Sequence, residues 1–166
     1  MKILKYSLIC LTLMTGAASC DKDDYDPQLL DIRPKISVTV TNYTDLRPGF
    51  TVRASRATGT FSFDLEIPAN SGRTIKEITK VVSSTAAAGL LPSSSAANYI
   101  NAPIPGNGNK VTFASTLATW MAKTNRTLPA NNAINAVELP LQFFLLITLD
   151  DNSTLITEPL RVLVVP

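Results

Sequence analysis

The residue types that perform most protein chemistry are scarce in this chain. It contains no histidine, which is the usual general base near neutral pH and the commonest metal ligand. Its two cysteines are Cys10 and Cys20. The adjacent carboxylates of Asp150 and Asp151 are candidates for an acid–base pair. Because Asp and Asn also favour tight turns, the run of residues 150–153, Asp-Asp-Asn-Ser, predicts a hairpin turn rather than a catalytic pair.

Two further stretches fall short of a catalytic or phosphate-binding motif. The serines at 93–95 lack the G-x-S-x-G setting of a nucleophile, so we expect a loop. The run Gly-Asn-Gly at 106–108 is not followed by the lysine-bearing helix of a phosphate loop, so we expect a turn. We therefore predict no catalytic residue, no metal ligand and no cofactor. A protein without enzymatic activity is expected, and a hydrolase that uses carboxylates alone is the competing class.

Aromatic side chains are the remaining candidates for ligand contact, since flat rings can stack on the faces of sugars. Tyr43, Tyr99 and Trp120 each lie in or beside a predicted loop, and Tyr99 lies in the longest of these loops. The alternative is that Trp120 fills the core beneath the loop and that the tyrosines are ordinary rim residues. These three residues are the candidate contacts for a glycan or protein partner.

The first 19 residues have the order of features of a secretory signal. Lys2 and Lys5 give a positive start, residues 6–14 form an apolar run, and small residues precede Cys20. Only 14 residues separate Lys5 from Cys20, fewer than the roughly 20 that a membrane-spanning helix needs. We therefore expect residues 1–19 to be a cleaved signal peptide.

The four residues that end at Cys20, Ala17-Ala18-Ser19-Cys20, resemble a bacterial lipobox, with Ala17 in place of the usual leucine. The resemblance implies that Cys20 becomes the first mature residue and carries lipid on its sulfur and its amine. Two or more acyl chains anchor a protein stably, at about 0.8 kcal/mol per buried CH₂. The alternative is an ordinary signal peptide followed by a free or disulfide-bonded cysteine. The only other cysteine, Cys10, leaves with the signal, so the mature chain has no disulfide partner.

The residues after Cys20 are strongly acidic. Lys22, Asp23 and Asp24 resemble the lipoprotein export signal of Bacteroidota, which implies transport to the outer face of the outer membrane. The alternatives are a solvated acidic spacer or a signal against retention in the inner membrane, either of which fits a periplasm-facing protein. Calcium binding is not expected, because the spaced loop of a known calcium site is missing.

The charge balance argues against a nucleic-acid partner. The chain has 15 Lys and Arg against 13 Asp and Glu, a net charge of +2. Loss of Lys2 and Lys5 with the signal leaves 13 basic residues against the same 13 acidic ones. The membrane contact that we expect is therefore made by the lipid anchor and not by a basic surface.

The mature chain divides into a lipidated N-terminus with a tether, residues 20–34, and one domain, residues 35–166. Within the domain, residues 60–67 alternate apolar and polar side chains, as in a strand with one buried face. Residues 139–149 are almost continuously apolar, which predicts a strand covered on both faces. Residues 84–109 are rich in Ser, Ala, Asn, Gly and Pro and predict either a mobile segment or a recognition loop.

About seven short strands in one domain favour an all-β fold, an antiparallel β-sandwich. The run Phe61-Ser62-Phe63-Asp64-Leu65, residues 72–78 and the hairpin at 149–154 resemble the immunoglobulin-like modules of small Bacteroidota surface lipoproteins. The resemblance implies a lipid-anchored binding or structural module of the outer membrane. It is compatible with an accessory role in glycan capture or with a subunit docked on a membrane complex. A Cys–Trp–Cys core is lacking, so an antibody-type domain is excluded.

Overall fold

The structure, a computed structural model, describes four ranges of the chain: 36–45, 49–86, 97–130 and 136–166. The predicted signal peptide and tether lie outside these ranges, as do Cys20 and the export residues Lys22, Asp23 and Asp24. Among the described residues, no helix combines the length and the apolar character needed to cross a bilayer.

β-Strands dominate the described residues. They are β1 (Thr39–Val40), β2 (Phe50–Ser55), β3 (Thr60–Glu66), β4 (Ile75–Ser84), β5 (Ile104–Pro105), β6 (Lys110–Thr116), β7 (Val137–Glu138), β8 (Gln142–Leu149), β9 (Thr154–Ile156) and β10 (Leu160–Val165). The helix α1 (Leu117–Thr124) follows β6, and a 3₁₀ turn covers Ala69–Ser71. The all-β prediction is confirmed, but the described residues form ten strands and not about seven. Four of these, β1, β5, β7 and β9, have two or three residues, too few to show an alternating pattern in the sequence.

The strands form two sheets. The first has the order β1-β3-β6 and is antiparallel, and the second has the order β2-β10-β8-β4-β5, with β7 beside β10 and β9 beside β8. β2 and β10 pair in parallel along their whole length, from Phe50 opposite Leu160 to Ser55 opposite Val165. The prediction of purely antiparallel pairing is therefore wrong for this pair. Parallel partners are far apart in the chain and share no tight turn, so no local sequence signal marks them.

Side chains of both sheets meet in one core. Phe61 and Phe63 of β3 point inward, as the alternation of residues 60–67 predicts. Phe143 of β8 is fully buried and lies with its ring centroid 5.5 Å from that of Phe61, 6.0 Å from that of Phe63 and 5.7 Å from that of Phe113. These aromatic contacts join the first sheet to the second.

Strand β8 is covered on both faces, which confirms the interpretation of its apolar run. Phe143 and Leu145 face the main core, whereas Phe144 and Leu146 pack with Val82 in a smaller cluster on the opposite face. The predicted hairpin is also confirmed, because β9 pairs antiparallel with β8 after the turn at residues 150–153. Strand β8 is thus the central strand of the second sheet, as its almost continuously apolar sequence indicates.

The N-cap of helix α1 is Thr116, and the helix itself begins at Leu117. Serine favours the N-cap position, which predicts Ser115 as the cap of this helix, but the Oγ1 of Thr116 accepts the hydrogen bond from the backbone N–H of Thr119, at 3.0 Å. Ser115 lies opposite Phe61 in the β3–β6 pair, and its hydroxyl is hydrogen-bonded to that of Tyr99. The last residue of the strand therefore provides the cap.

Candidate functional site

An open groove of about 600 Å³ lies where β2 and β3, consecutive in the chain, diverge into different sheets. We call it the β2–β3 groove. Polar side chains line much of it: Asn42, Thr44, Arg53, Thr60, Ser62, Ser115 and Thr116. Val52, Phe61 and Ala114 add apolar surface. This volume lies in the usual range for pockets that hold small organic ligands.

The rim of the groove is fixed by the amide of Asn42. After β1 ends, its Nδ2 donates to the carbonyl of Ser62 at 3.0 Å, and its Oδ1 accepts from the backbone N–H of Asp64 at 3.0 Å. The side chain thus satisfies backbone groups of β3 that a longer β1 would otherwise pair with. Thr44 then donates its hydroxyl to the carbonyl of Thr51 on β2, at 3.2 Å. Residues 42–44 are held to both strands, so the wall is formed before any ligand arrives.

Some polar groups of the groove are used by the fold and others remain for a ligand. The hydroxyls of Ser115 and Thr116 are engaged by Tyr99 and by the helix cap. Arg53 and Thr60 are exposed, and neither side chain hydrogen-bonds to another described residue. A guanidinium offers five N–H donors, and a hydroxyl offers one donor and two acceptors. The groove can therefore bind a polar ligand by hydrogen bonds above an apolar floor.

Tyr43 lies between two groove residues in the chain and presents its ring to solvent. It is 45% exposed and is the one large hydrophobic residue so exposed among the described residues. Its ring packs edge to face against that of Phe50, with the centroids 5.5 Å apart. One side of the Tyr43 ring is held by this contact, and the rest of the ring is accessible to solvent. Of the three aromatic candidates, Tyr43 has the exposure that stacking on a sugar requires.

Tyr99 and Trp120 are part of the core. Tyr99 is 7% exposed, its backbone N–H donates to the carbonyl of Val81 at 2.7 Å, and burial raises the pKa of its phenol. Trp120 is fully buried in the main core and donates its indole N–H to the Oγ of Ser83 at 3.1 Å. The polar composition of residues 84–109 predicts a loop position for Tyr99. That composition does not show that residues 98–99 lie alongside β4. The structure therefore does not bring the three rings together.

The acidic hairpin forms the turn that its sequence predicts. The Oδ1 of Asp151 accepts hydrogen bonds from the hydroxyl and the backbone N–H of Ser153, at 2.6 and 3.0 Å, and its Oδ2 lies 2.9 Å from the guanidinium of Arg73. These bonds to Ser153, with the nearby charge of Arg73, lower the pKa of Asp151. Among the described residues, no three carboxylates or cysteines lie close enough to hold a metal ion.

Sequence reasoning missed the groove itself. Asn42, Arg53, Thr60 and Ser62 lie on short strands or loops, where a polar residue on an outward position is ordinary. Only the divergence of β2 and β3 into separate sheets brings them together, and that divergence depends on the unpredicted parallel pair. Comparison of the chain with protein-family models, with curated proteins and with solved structures gave no match.

Proposed function

We propose that this chain is a lipid-anchored protein of the bacterial outer membrane, displayed at the cell surface, whose domain binds a ligand without chemically changing it. The observation that carries the anchor is the position of Cys20, directly after three small residues and a short apolar run. A short apolar run that is removed holds nothing in a bilayer, whereas a cysteine carrying two or more acyl chains does.

Replacement of the lipid acceptor tests the anchor. Cys20→Ser should move the protein from the membrane fraction to the soluble fraction, because the mature chain then has no site for acylation. Cys10→Ala is the matched control, since it removes the other cysteine and leaves Cys20 in place. Retention of the Cys20→Ser protein in membranes, or equal release of both variants, contradicts the proposal.

Surface display depends on the acidic residues that follow the anchor. Asp23→Ala with Asp24→Ala should leave the protein membrane-bound but protected from external protease in intact cells. Asp26→Ala is the control for loss of one nearby negative charge. If external protease still cleaves the double variant, surface display does not depend on these two residues. The proposal of a lipid anchor at Cys20 is not affected by that result.

For the domain we propose an immunoglobulin-like β-sandwich. The order β1-β3-β6 corresponds to strands A, B and E of that fold, and β10-β8-β4 corresponds to G, F and C. β5 then occupies the place of the additional strand C′ beside C, as in variable-type domains. The two strand orders and their shared core support the proposal. An experimental structure with a different order of these strands would contradict it.

We assign ligand binding to the β2–β3 groove and propose a neutral glycan as the ligand class. Two observations support this choice: the hydroxyl of Thr60 and the guanidinium of Arg53, which bond to no other described residue, and the exposed ring of Tyr43, which lies in the chain between the lining residues Asn42 and Thr44. Hydrogen bonds to sugar hydroxyls and stacking on a sugar face use these groups together. The lipid anchor would hold such a groove at the cell surface, where glycans are met.

A blocking substitution separates the groove from the rest of the surface. Ala114→Trp fills the groove from an exposed position of β6, and Thr112→Trp places the same ring two residues away on the same exposed face, outside the lining. In NMR titrations with neutral gluco-, manno- and galacto-oligosaccharides, we expect binding that shifts the amides of Thr60 and Ser62. Ala114→Trp should abolish the shifts and Thr112→Trp should keep them. No shift with any sugar, equal loss in both variants, or cleavage of the sugar contradicts the proposal.

A further inference from the structure

A second pocket lies on another part of the domain. It measures about 510 Å³ and forms where the end of β4, residues 97–99 and the C-terminal end of α1 meet. Val82 and Leu141 contribute apolar surface, and Ser84, Asn98 and Thr124 contribute polar side chains. Lys123 and Arg126 complete the lining with two cations. We call it the basic pocket.

The walls of the basic pocket are tied to one another by hydrogen bonds. Asn98 accepts at its Oδ1 from the backbone N–H of Val81, at 3.0 Å, and holds residues 98–99 against β4. The indole of Trp120 donates to Ser83 at 3.1 Å and fixes α1 over the end of the same strand. Because the groups that shape the pocket are already held, a ligand need not order them on binding.

The charges in this pocket are of one sign. Of the described residues that line it, two are cationic and none is Asp or Glu. Lys123 uses one of its three donors, to the Oδ1 of Asn101 at 2.9 Å, and Arg126 has no hydrogen bond or ion pair with another described residue. Arg73 and Lys110, by contrast, meet carboxylates, those of Asp151 and Glu66. The basic pocket thus presents donors that have no acidic partner among the described residues of its lining.

The polar neighbours of these cations add neutral donors. The hydroxyl of Ser84 accepts from the backbone N–H of Ala86 at 3.3 Å, and it donates to no other described residue. Ammonium and guanidinium groups make the stronger, charge-assisted hydrogen bonds to carboxylate and phosphate oxygens. A small ligand with one anionic group and several hydroxyls matches both the charge and the donors.

We propose that the basic pocket is an anion-binding site for a small hydroxylated ligand that carries a carboxylate or a phosphate group. Arg126 binds the anionic group, with Lys123 beside it, and Ser84 binds a neutral oxygen of the ligand. The pocket is a different surface from the β2–β3 groove, with which it shares no lining residue. A second ligand class is therefore added to the neutral glycan proposed for the groove.

The two cations also lie at the C-terminal end of α1, where positive charge offsets the partial negative charge of the helix end. This structural role predicts a loss of helix stability on substitution but no selective binding of anions. Binding of matched anionic and neutral probes, measured on folded protein, distinguishes the two roles. The charge-conserving variant Lys123→Arg with Arg126→Lys keeps both roles, so it should bind and melt like the unmodified protein.

The test uses the full-length protein in a neutral detergent and three probes: glucuronate, inorganic phosphate and glucose. We expect at least one anion to shift the amide signals of Ser84, Asn98 and Thr124, and glucose at the same concentration to leave them unchanged. Glucuronate alone assigns the site to carboxylates and phosphate alone assigns it to phosphate esters. Because both cations are exposed, added salt should weaken the binding.

A double substitution gives the decisive comparison. Lys123→Gln with Arg126→Gln should weaken anion binding by about tenfold or more, as expected for the loss of charge-assisted hydrogen bonds. Lys110→Gln with Arg73→Gln removes the same two charges elsewhere and should change the affinity less than twofold. The proposal is overturned if neither anion binds, if glucose shifts the same signals equally, or if both double variants lose affinity alike.

Discussion

The ring of Phe143 connects the two sheets, and its removal should cost more than removal of any half-buried phenylalanine. It is fully buried and contacts four other rings, those of Phe61, Phe63, Tyr99 and Phe113, at centroid distances of 5.3 to 6.0 Å. Replacement of a buried phenylalanine by alanine costs about 3–5 kcal/mol, with more lost where the surroundings cannot collapse. Because β8 lies between β10 and β4, we expect about 4 kcal/mol for Phe143→Ala.

Urea unfolding followed by circular dichroism measures this loss. Phe50→Ala is the control, because Phe50 is half-buried and its ring contacts one other ring among the described residues, that of Tyr43. We expect about 1–2 kcal/mol for the control, from partial burial of one aromatic side chain. A double-mutant cycle of Phe143→Ala with Phe63→Leu should show a coupling above about 0.5 kcal/mol, since these residues touch across the sheets. A smaller loss for Phe143→Ala than for Phe50→Ala, or no coupling, would refute the described core.

Three further substitutions test particular parts of the fold. Burial raises the pKa of Tyr99, so the folded protein holds this proton more tightly than the unfolded chain, whose tyrosines ionise at about pH 10. The resulting stability is present below about pH 10 and is lost as the pH rises through the raised pKa. Tyr99→Phe should remove this alkaline loss of stability. If the urea midpoints of the variant and of the unmodified protein change in parallel between pH 8 and 11, the prediction is wrong. Gly49 has a φ of 106°, and a Cβ there would lie 2.2 Å from the carbonyl oxygen of Pro159, so Gly49→Ala should lower the melting temperature more than Gly59→Ala, where nothing lies within 4 Å. Equal melting temperatures for these two variants would contradict the close approach. Thr116→Ala should cost about 1 kcal/mol through loss of the helix cap, and an unchanged urea midpoint would contradict the cap.

The structural features that the sequence predicts well are those marked by a pattern within a single strand. Alternation in residues 60–67 and the apolar run before residue 150 report directly on which faces are buried, and β3 and β8 follow them. The turn at residues 150–153 is predicted for the same reason, because its chemistry is local to the side chains that form it. Local signals thus predict the all-β class and the final hairpin.

Contacts between distant segments escape such reasoning. The parallel pairing of β2 with β10 joins residues more than 100 positions apart, and it determines where the β2–β3 groove opens. Tyr99 belongs to a segment of polar composition, which gives no sign of burial. Hydrogen bonds of the Asn98 amide and of the Tyr99 backbone N–H to Val81 hold it against β4. The basic pocket likewise needs Lys123 and Arg126 near the end of β4, a proximity that no spacing in the sequence reveals.

The decisive test of the lipid anchor is mass spectrometry of the N-terminus of the protein, purified from the membranes of its own cells. We expect Cys20 to be the first residue, with acyl groups on its sulfur and its amine, and no peptide from residues 1–19. An intact Met1, or a mature N-terminus with an unmodified Cys20 thiol, would contradict it.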